Sequence, residues 1–434
     1  MHNKQQSCNS LFGRISSVAK VVLALTIVFA PAAALTQSAH AQTFKVIYNF
    51  TGGADGGYPC AGLTMDAAGN FYGTTSGFRW CDEGASSGGS VFKLSQKSGA
   101  WVLTPLYTFR GGEDGADPMA RVAIGPDGSL YGTTFSEGGN GCGIVFKLSS
   151  PAQVAPNVTG GWTETVVHRF TGGADGCGPS GDLVFDQAGN LFGTTVYGGS
   201  PGLGTVFELM PSGGGWTETV IYSFNGEDGQ QPWYSGVILD KAGNLYGTTV
   251  YGGSGGCDFG PCGDVFQLTP AGSGWTESVI HNFQGGSDGA QPVGGLLADQ
   301  QGTLYGAAAG HGTGGGGTVF TLKRQYDGWM FTVLYSFAGR EFEGPYAPLV
   351  LDAAGNLYGT TYADDNYGCF GQGCGTVFKL YHNSWTYTSF HDFTGGSDGA
   401  NPISNVVLHP NGNFYGTASR GGANGQGVIW EVTP

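Results

Sequence analysis

The sequence predicts an all-β fold, a seven-bladed β-propeller with four antiparallel strands per blade. Three observations predict it. Glycine supplies 83 of 434 residues and aromatics 13%. Four strand-like phrases recur seven times along the chain. The phase of the repeat lets its first strand complete its last blade. Glycine at this frequency argues against long helices, because each interior glycine costs a helix roughly 1 kcal/mol. The aromatic and β-branched content argues against disorder. No strict three-residue glycine period exists, which excludes a collagen-like chain.

Residues 1–41 read as a cleaved secretory signal. Lys4, Arg14 and Lys20 precede or flank an apolar run from Val21 to Leu35, and Ala39-His40-Ala41 offers a small-x-small cleavage site. The run holds Pro31 and is short for a membrane span of roughly 20 residues. No second stretch of spanning length follows, and the chain stops at Pro434 with no tail after the last repeat, so no membrane span or C-terminal anchor is expected in the mature protein. The expected destination is the periplasm, the cell surface or the medium. Removing the signal leaves 14 basic against 32 acidic residues, a net charge of -18. Phosphate recognition needs clustered Lys and Arg, so nucleic acid and anionic lipid are not expected partners.

Residues 42–434 read as one domain, with repeats starting near 43, 101, 162, 216, 275, 329 and 385. The phrase Leu-Tyr-Gly-Thr-Thr places its aromatic at Tyr72, Tyr131, Phe192, Tyr246, Tyr305, Tyr358 and Tyr415. The phrase Gly-Thr-Val-Phe-Lys-Leu places its own at Phe92, Phe146, Phe207, Phe266, Phe320, Phe378 and Trp430. A third phrase opens with Trp and closes with Phe, as in Trp162/Phe170 and Trp385/Phe393, and its first copy ends at Phe50 without the Trp. A fourth is an apolar run before an Asp-x-x-Gly-Asn turn, as at Leu349–Asn356. Each is short, β-prone and bounded by turn residues. Four short strands per repeat describe a propeller blade, and a lone blade cannot bury both faces. With the Asp-x-x-Gly-Asn phrase innermost, residues 43–50 supply the outermost strand of the seventh blade. That joins the chain ends and removes an open edge.

The Leu-Tyr-Gly-Thr-Thr and Gly-Thr-Val-Phe-Lys-Leu signature resembles the GloVer tandem-repeat family of exported bacterial proteins. The resemblance covers essentially all of residues 43–434, with both phrases kept in seven copies. It implies location and architecture, and no activity.

Eight cysteines follow the signal, an even number in an exported chain, so disulfides are expected. The Tyr-Gly to Val-Phe distance is 15 residues in repeats two, three, five and seven and 20 in repeats one, four and six. The long loops carry cysteine, which predicts Cys257–Cys262 and Cys369–Cys374. In a four-stranded blade, the loop between strands two and three shares a face with the link into the next blade. Cys60–Cys81 and Cys142–Cys177 follow from that placement.

The link reads Gly-x-Asp-Gly-x-x-Pro in six repeats, with Asp55, Asp114, Asp175, Asp228, Asp288 and Asp398; repeat six has Glu343-Gly344. A ring of carboxylates suggests calcium, which prefers oxygen ligands. The plainer reading is a turn, with Asp bonding the backbone and Gly supplying positive φ. A second ring, Asp66, Asp127, Asp186, Asp240, Asp299 and Asp352 with Asn411 near that place, reads as hairpin turns. No other cofactor is expected. His168, His281 and His391 lie two residues before the strand-ending Phe, where Tyr48, Tyr107, Tyr222 and Tyr335 stand in other repeats. They read as packed, hydrogen-bonded strand positions. His311 sits in a Gly-rich loop without a nucleophile or a Lys, so it is neither a triad nor a phosphate loop.

Trp80 and Trp233 break the repeat pattern, and both fall in loops expected on one face. Tyr58, Tyr234, Phe259, Tyr346, Tyr367 and Phe370 fall in the same class of loops. Aromatic rings there suit stacking on a pyranose, with Asp and Asn taking hydroxyls; the plainer reading is that each ring covers its own hairpin. Three functions are open on this evidence. The first is a binding module for a glycan or surface protein, with Trp80, Trp233, Tyr234, Tyr58, Tyr346 and Tyr367 as the contact set. The second is a propeller lyase or hydrolase on extracellular polysaccharide, a fold-level analogy. The third is a structural envelope or matrix component. The repeats are near-uniform and show no cluster of unlike polar residues, which speaks against the enzyme.

Overall fold

A computed structural model describes residues 42–77, 88–151, 161–257, 260–272, 274–340, 343–363, 369 and 373–434. Over these residues the chain from 42 onward runs as 28 strands in seven four-stranded antiparallel sheets. In the first blade the order is Thr64–Met65, Phe71–Ser76, Gly89–Lys97 and Ala100–Thr108, from the innermost strand outward. The other blades repeat it. Thr43–Asn49 pairs antiparallel with Val428–Thr433, so the first strand completes the seventh blade as the repeat phase predicts.

Every residue of Tyr-Gly-Thr-Thr is buried, and the partners recur from blade to blade, although the Thr133 hydroxyl has none. The tyrosine hydroxyl donates to the hairpin aspartate ahead of it, as Tyr246 does to Asp240 at 3.0 Å and Tyr358 to Asp352 at 2.9 Å. The glycine lies opposite the Phe of the third strand. A Cβ on Gly247 would stand 2.5 Å from Cζ of Phe266, and the same ring covers the glycine in every blade, with Trp430 over Gly416 in the last. The first threonine reaches the link of the next blade: Thr74 donates to the Ala120 carbonyl, Thr194 to Ser235 and Thr360 to Ser404. The second threonine meets Ser or Thr of the third strand, as in Thr195–Thr205 at 2.8 Å and Thr361–Thr376 at 3.0 Å.

Among the described residues, the hydrophobic core includes seven clusters that lie one between each pair of neighbouring blades. Phe50, Leu63, Phe71 and Phe92 pack against Tyr415 and Ile429, which joins the seventh blade to the first and closes the ring. The Trp that opens each outer strand packs edge-on against the second strand of the preceding blade, as Trp216 does on Tyr131 and Trp329 on Tyr246. In the sixth blade the outer strand begins at Tyr387 instead of Trp385, because Trp385 takes a left-handed turn conformation at φ 50°.

The residue before the link proline makes the joint between blades. Gln231 donates its N–H to the Leu203 carbonyl of the third blade at 2.8 Å, and its own carbonyl accepts from Val250 of the fourth at 3.2 Å. Tyr58, Asp117, Gly178, Gln291, Gly344 and Asn401 make the same two bonds. Tyr58, Asp117, Gln231, Gln291 and Asn401 do so at φ between 53° and 57°.

Disulfides join Cys142–Cys177, Cys257–Cys262 and Cys369–Cys374. Cys60 is also disulfide-bonded; its expected partner, Cys81, lies outside the described residues, as does the expected signal segment 1–41. In the seventh hairpin the place of the aspartate is taken by His409, two residues before the Asn411 singled out in the sequence. His409 N–H donates to the Asn413 carbonyl, and its Nδ1 accepts from Asn411 N–H. An imidazole nitrogen there does what a carboxylate oxygen does elsewhere.

The glycine of the second strand is therefore required by a close approach, since Gly247 does not have a left-handed φ. Gly247→Ala is expected to lower unfolding free energy by about 1–3 kcal/mol through overpacking. Gly286→Ala, where a Cβ meets nothing within 4 Å, is the control and should be neutral or slightly stabilising. Urea unfolding of both variants checks it.

Candidate functional site

The links carry two kinds of residue, those that repeat and those that do not. The repeated aspartate is tied down locally. Asp55 accepts from the Thr51 N–H and from the Tyr48 hydroxyl, both at 2.9 Å. Asp114 accepts from Tyr107 at 3.1 Å and from Arg110 N–H. Asp228 accepts from Tyr222 and Asn225. In three other blades histidine replaces tyrosine: Nε2 of His168, His281 and His391 lies 3.6, 3.3 and 3.0 Å from Asp175, Asp288 and Asp398. The two alternating sequence positions are thus partners, seven residues apart in most repeats. In the sixth blade Glu343 accepts from Arg340 N–H. Burial opposes ionisation of Asp55, but the bonds from Thr51 and Tyr48 outweigh it and hold the carboxyl below its ordinary value. Burial, reinforced by Asp55, pushes the Tyr48 phenol up to about 12. Burial lowers His168 and His391 in spite of their aspartates. Among the described residues, no three or more His, Cys, Asp or Glu side chains are grouped so as to hold a metal ion.

A second electrostatic feature lies between blades. Glu164, Glu218 and Glu277 occupy the same strand position in the second, third and fourth blades, six residues before the closing Phe. Burial, then the charge of Asp114, Asp175 and Asp228 in the preceding links, raises each to about 7. The other blades place Leu103, Phe331, Tyr387 and Phe44 there. Phe331 stacks on His281 at 3.7 Å, and Phe44 on His391 at 3.5 Å.

The unrepeated residues stand just before the innermost strand. Reading round the ring, the position holds Gly62, Arg121, Asp182, Gly236, Gly295, Pro348 and Asn405. These links converge on the axis. A cavity of about 30 Å3 is lined by link residues of six blades, including Arg121, Asp182, Tyr234, Tyr346 and Asn405. Space is tight: a Cβ on Gly62 would strike Oδ1 of Asn405, and one on Gly236 the backbone of Asp182. Arg121 makes a fork to Asp182, with Nε at 2.9 Å and Nη2 at 2.6 Å from Oδ2, while its own N–H donates to Oδ1 at 2.9 Å. The two side chains keep 31% and 25% of their surface exposed. Asn405 Oδ1 accepts from Leu63 N–H at 3.1 Å across the closing joint. Unlike polar residues therefore do cluster, contrary to the sequence reading. The signal was the third residue after each link proline, hidden because its neighbours repeat.

The fourth link is one residue longer than the others, Pro232 to Val237 against Pro179 to Leu183. The extra length brings Trp233 and Tyr234 over the neighbouring blades. Trp233 stacks on Phe135 of the second blade at 5.2 Å and meets Tyr197 edge-on at 6.0 Å. Tyr234 takes φ 52° and packs with Tyr346, Val250 and Val293. Trp233, Tyr234 and Tyr346, all half-buried, thus gather around the axial mouth. Tyr58 does not join them. It serves as a joint and lines a separate cavity of about 160 Å3 with Gln426 and Ser90. Trp80, Phe259, Tyr367 and Phe370 lie outside the described residues. His311 sits in the fifth-blade loop at φ 58°.

The repeat signature can now be set beside known proteins. A family model described as the Gloeobacter/Verrucomicrobia repeat matches residues 34–159, 155–325 and 259–434. The chain belongs to that repeat family. No curated protein sequence matches it. Among solved structures, a fungal alcohol oxidase of the AA5 family, in complex with copper, superposes with a TM-score of 0.54 at 12% identity, covering 87% of this chain and 75% of that one. A periplasmic gluconolactonase of Pseudomonas aeruginosa gives 0.48 at 15% identity, covering 81% and 93%. At these identities the first likeness is one of fold alone, and the chemistry of neither protein transfers to this repeat-family chain.

The raised glutamates fix a pH dependence. A carboxyl whose folded pKa exceeds its unfolded value of about 4.3 favours the folded state most below that value. The contribution is lost as pH rises to the folded pKa of about 7. Glu218→Gln, which faces Asp175 and stays neutral, should therefore gain stability relative to wild type between pH 4.5 and 7 and hold a constant difference above. Urea midpoints across that range check it; a difference independent of pH contradicts the assignment.

Proposed function

We propose that this repeat-family propeller is a glycan-binding module whose ligand lies across the axial mouth. The carrying observation is that Tyr234 and Tyr346 line the axial cavity with the Arg121–Asp182 fork, beside Trp233, where the link residues differ from blade to blade. A pyranose offers an apolar face and a rim of hydroxyls. Half-buried rings held in place by Phe135 and Tyr362 suit the first. The guanidinium, whose Nη1 edge is not used by Asp182, and the Asn405 amide suit the second. The axial cavity is the size of a water or two, so a sugar ring rests on the mouth and does not enter it. Enclosed chemistry at a buried centre is disfavoured on the same ground. Export belongs to this reading, because three disulfides call for an oxidising compartment. Among the described residues, no helix is long and apolar enough to cross a membrane.

Affinity electrophoresis through gels containing soluble polysaccharides, with polymer length checked afterwards, tests the proposal. Retardation by at least one polymer, left intact, is expected. Trp233→Ala should weaken it by about tenfold or more, the loss usual for an anchoring aromatic residue. Tyr326→Ala, fully exposed on an outer hairpin, should leave it unchanged. A shortened polymer would make the protein an enzyme, and no retardation by any polymer would remove the glycan reading.

A further inference from the structure

The fourth blade contains a buried carboxylate that its fold does not explain. Asp264 opens the third strand, opposite Thr249, and is fully buried. The equivalent residues are Ser90, Ile144, Thr205, Thr318, Thr376 and Val428, none of them charged. Where the residue is Thr205 or Thr376, its hydroxyl bonds the threonine opposite. Asp264 instead uses only its backbone, donating N–H to Thr249 Oγ1 at 3.2 Å. Neither carboxylate oxygen has a hydrogen-bond partner. An ionised carboxylate taken out of water without a partner costs several kcal/mol.

Three side-chain oxygens crowd Gly253: a Cβ there would stand within 2.7 Å of both carboxylate oxygens of Asp264 and of Oδ1 of Asn282. Asn282 stands directly across the strand pair from Asp264, and its amide orientation is fixed by the Ser254 N–H donating to Oδ1 at 3.1 Å. Gly253, at φ 80°, is the residue that can stand against these oxygens, since any side chain there would strike them. The Cys257–Cys262 disulfide ties the chain between Gly253 and Asp264. Asp228 and Glu277 add negative charge nearby, and one Glu277 oxygen is likewise buried without a partner.

We infer that the fourth blade holds a divalent cation site of calcium type, with Asp264 as a bidentate ligand and Asn282 as a second side-chain ligand. Calcium accepts six to eight oxygens and tolerates irregular sets that mix one carboxylate with amide and backbone carbonyls and water. Magnesium demands a near-octahedral set and dehydrates reluctantly, so it suits this pair poorly. The site uses two side chains, fewer than the three acidic or imidazole groups of a ready-made cage. It is separate from the axial mouth, so its failure would leave the glycan reading untouched.

The test uses the whole protein, stripped with a chelator and then supplied with calcium chloride. At 10 mM calcium, about a hundredfold above the ~0.1 mM Kd of many extracellular modules, Tm should rise by about 3 °C. Magnesium at the same concentration should give a much smaller rise. Asp264→Thr restores the residue of three sibling blades; it should fold, be at least as stable as wild type in chelator, and lose the calcium response. Asp264→Asn, of the same shape, should lose the response as well and serves if the threonine variant does not fold. The proposal is overturned if wild type shows no calcium-dependent rise, if magnesium matches calcium, or if the Asp264 variant keeps the wild-type response.

Discussion

The joint before each link proline holds the ring together. One residue per blade donates its N–H to a loop of the blade behind and accepts from the second strand of the blade ahead. The geometry asks five non-glycine residues to adopt a left-handed backbone, at a cost on the order of 1 kcal/mol or more each. The proline that follows cannot supply an N–H and pre-sets the chain for the turn toward the axis. The strain persists because the two bonds and the packing on either side over-determine it. Every other regular feature depends on this spacing. The Trp of one blade reaches the Tyr of the last, and the first threonine reaches the next link, only when neighbours are held at this distance.

This division explains which parts of the repeat are free to vary. Outer positions are committed to the ring: Phe over Gly, Tyr to Asp, Tyr or His to the link aspartate. Such residues cannot also face a ligand. The residues between the proline and the innermost strand have no ladder to maintain, and they are the ones brought together on the axis. Identity there can drift from Gly to Arg to Asp without disturbing a strand. The axial mouth is thus where a nearly symmetric scaffold can hold an asymmetric surface, and it is a consequence of the topology.

Most of the fold was legible because it is written seven times. Strand order, the ring closure by residues 43–50 and the Cys142–Cys177, Cys257–Cys262 and Cys369–Cys374 bridges follow from periodicity and loop length. The site was less legible for the opposite reason. Arg121, Asp182 and Asn405 are far apart in sequence and share no motif; only the ring makes them neighbours. Trp233 and Tyr234 stood out as exceptions, but their reach to Phe135 depends on a one-residue insertion whose effect is three-dimensional. The pairing of Tyr48, Tyr107 and His391 with link aspartates was present as a constant spacing, and its meaning appears only when the strand end folds back over the turn. Asp264 gave no signal at all, because a single Thr-to-Asp exchange in one of seven copies looks like surface drift until its burial is known.

The exceptions are not scattered evenly. Glu164, Glu218 and Glu277 put carboxyls into three consecutive blade interfaces, where the rest of the ring has Phe44, Leu103, Phe331 and Tyr387. Arg121, Asp182, Trp233 and Asp264 fall in those same second, third and fourth blades. A phenyl ring such as that of Phe331 is itself unionisable and water-excluding. A carboxyl raised to about 7 is neither, and a blade interface built on it is weaker near neutrality than its apolar counterpart. One sector of the ring therefore places titrating carboxyls at its blade interfaces, and that sector also carries the axial charge pair and the long link. A uniform structural ring has no reason to distribute its charges this way.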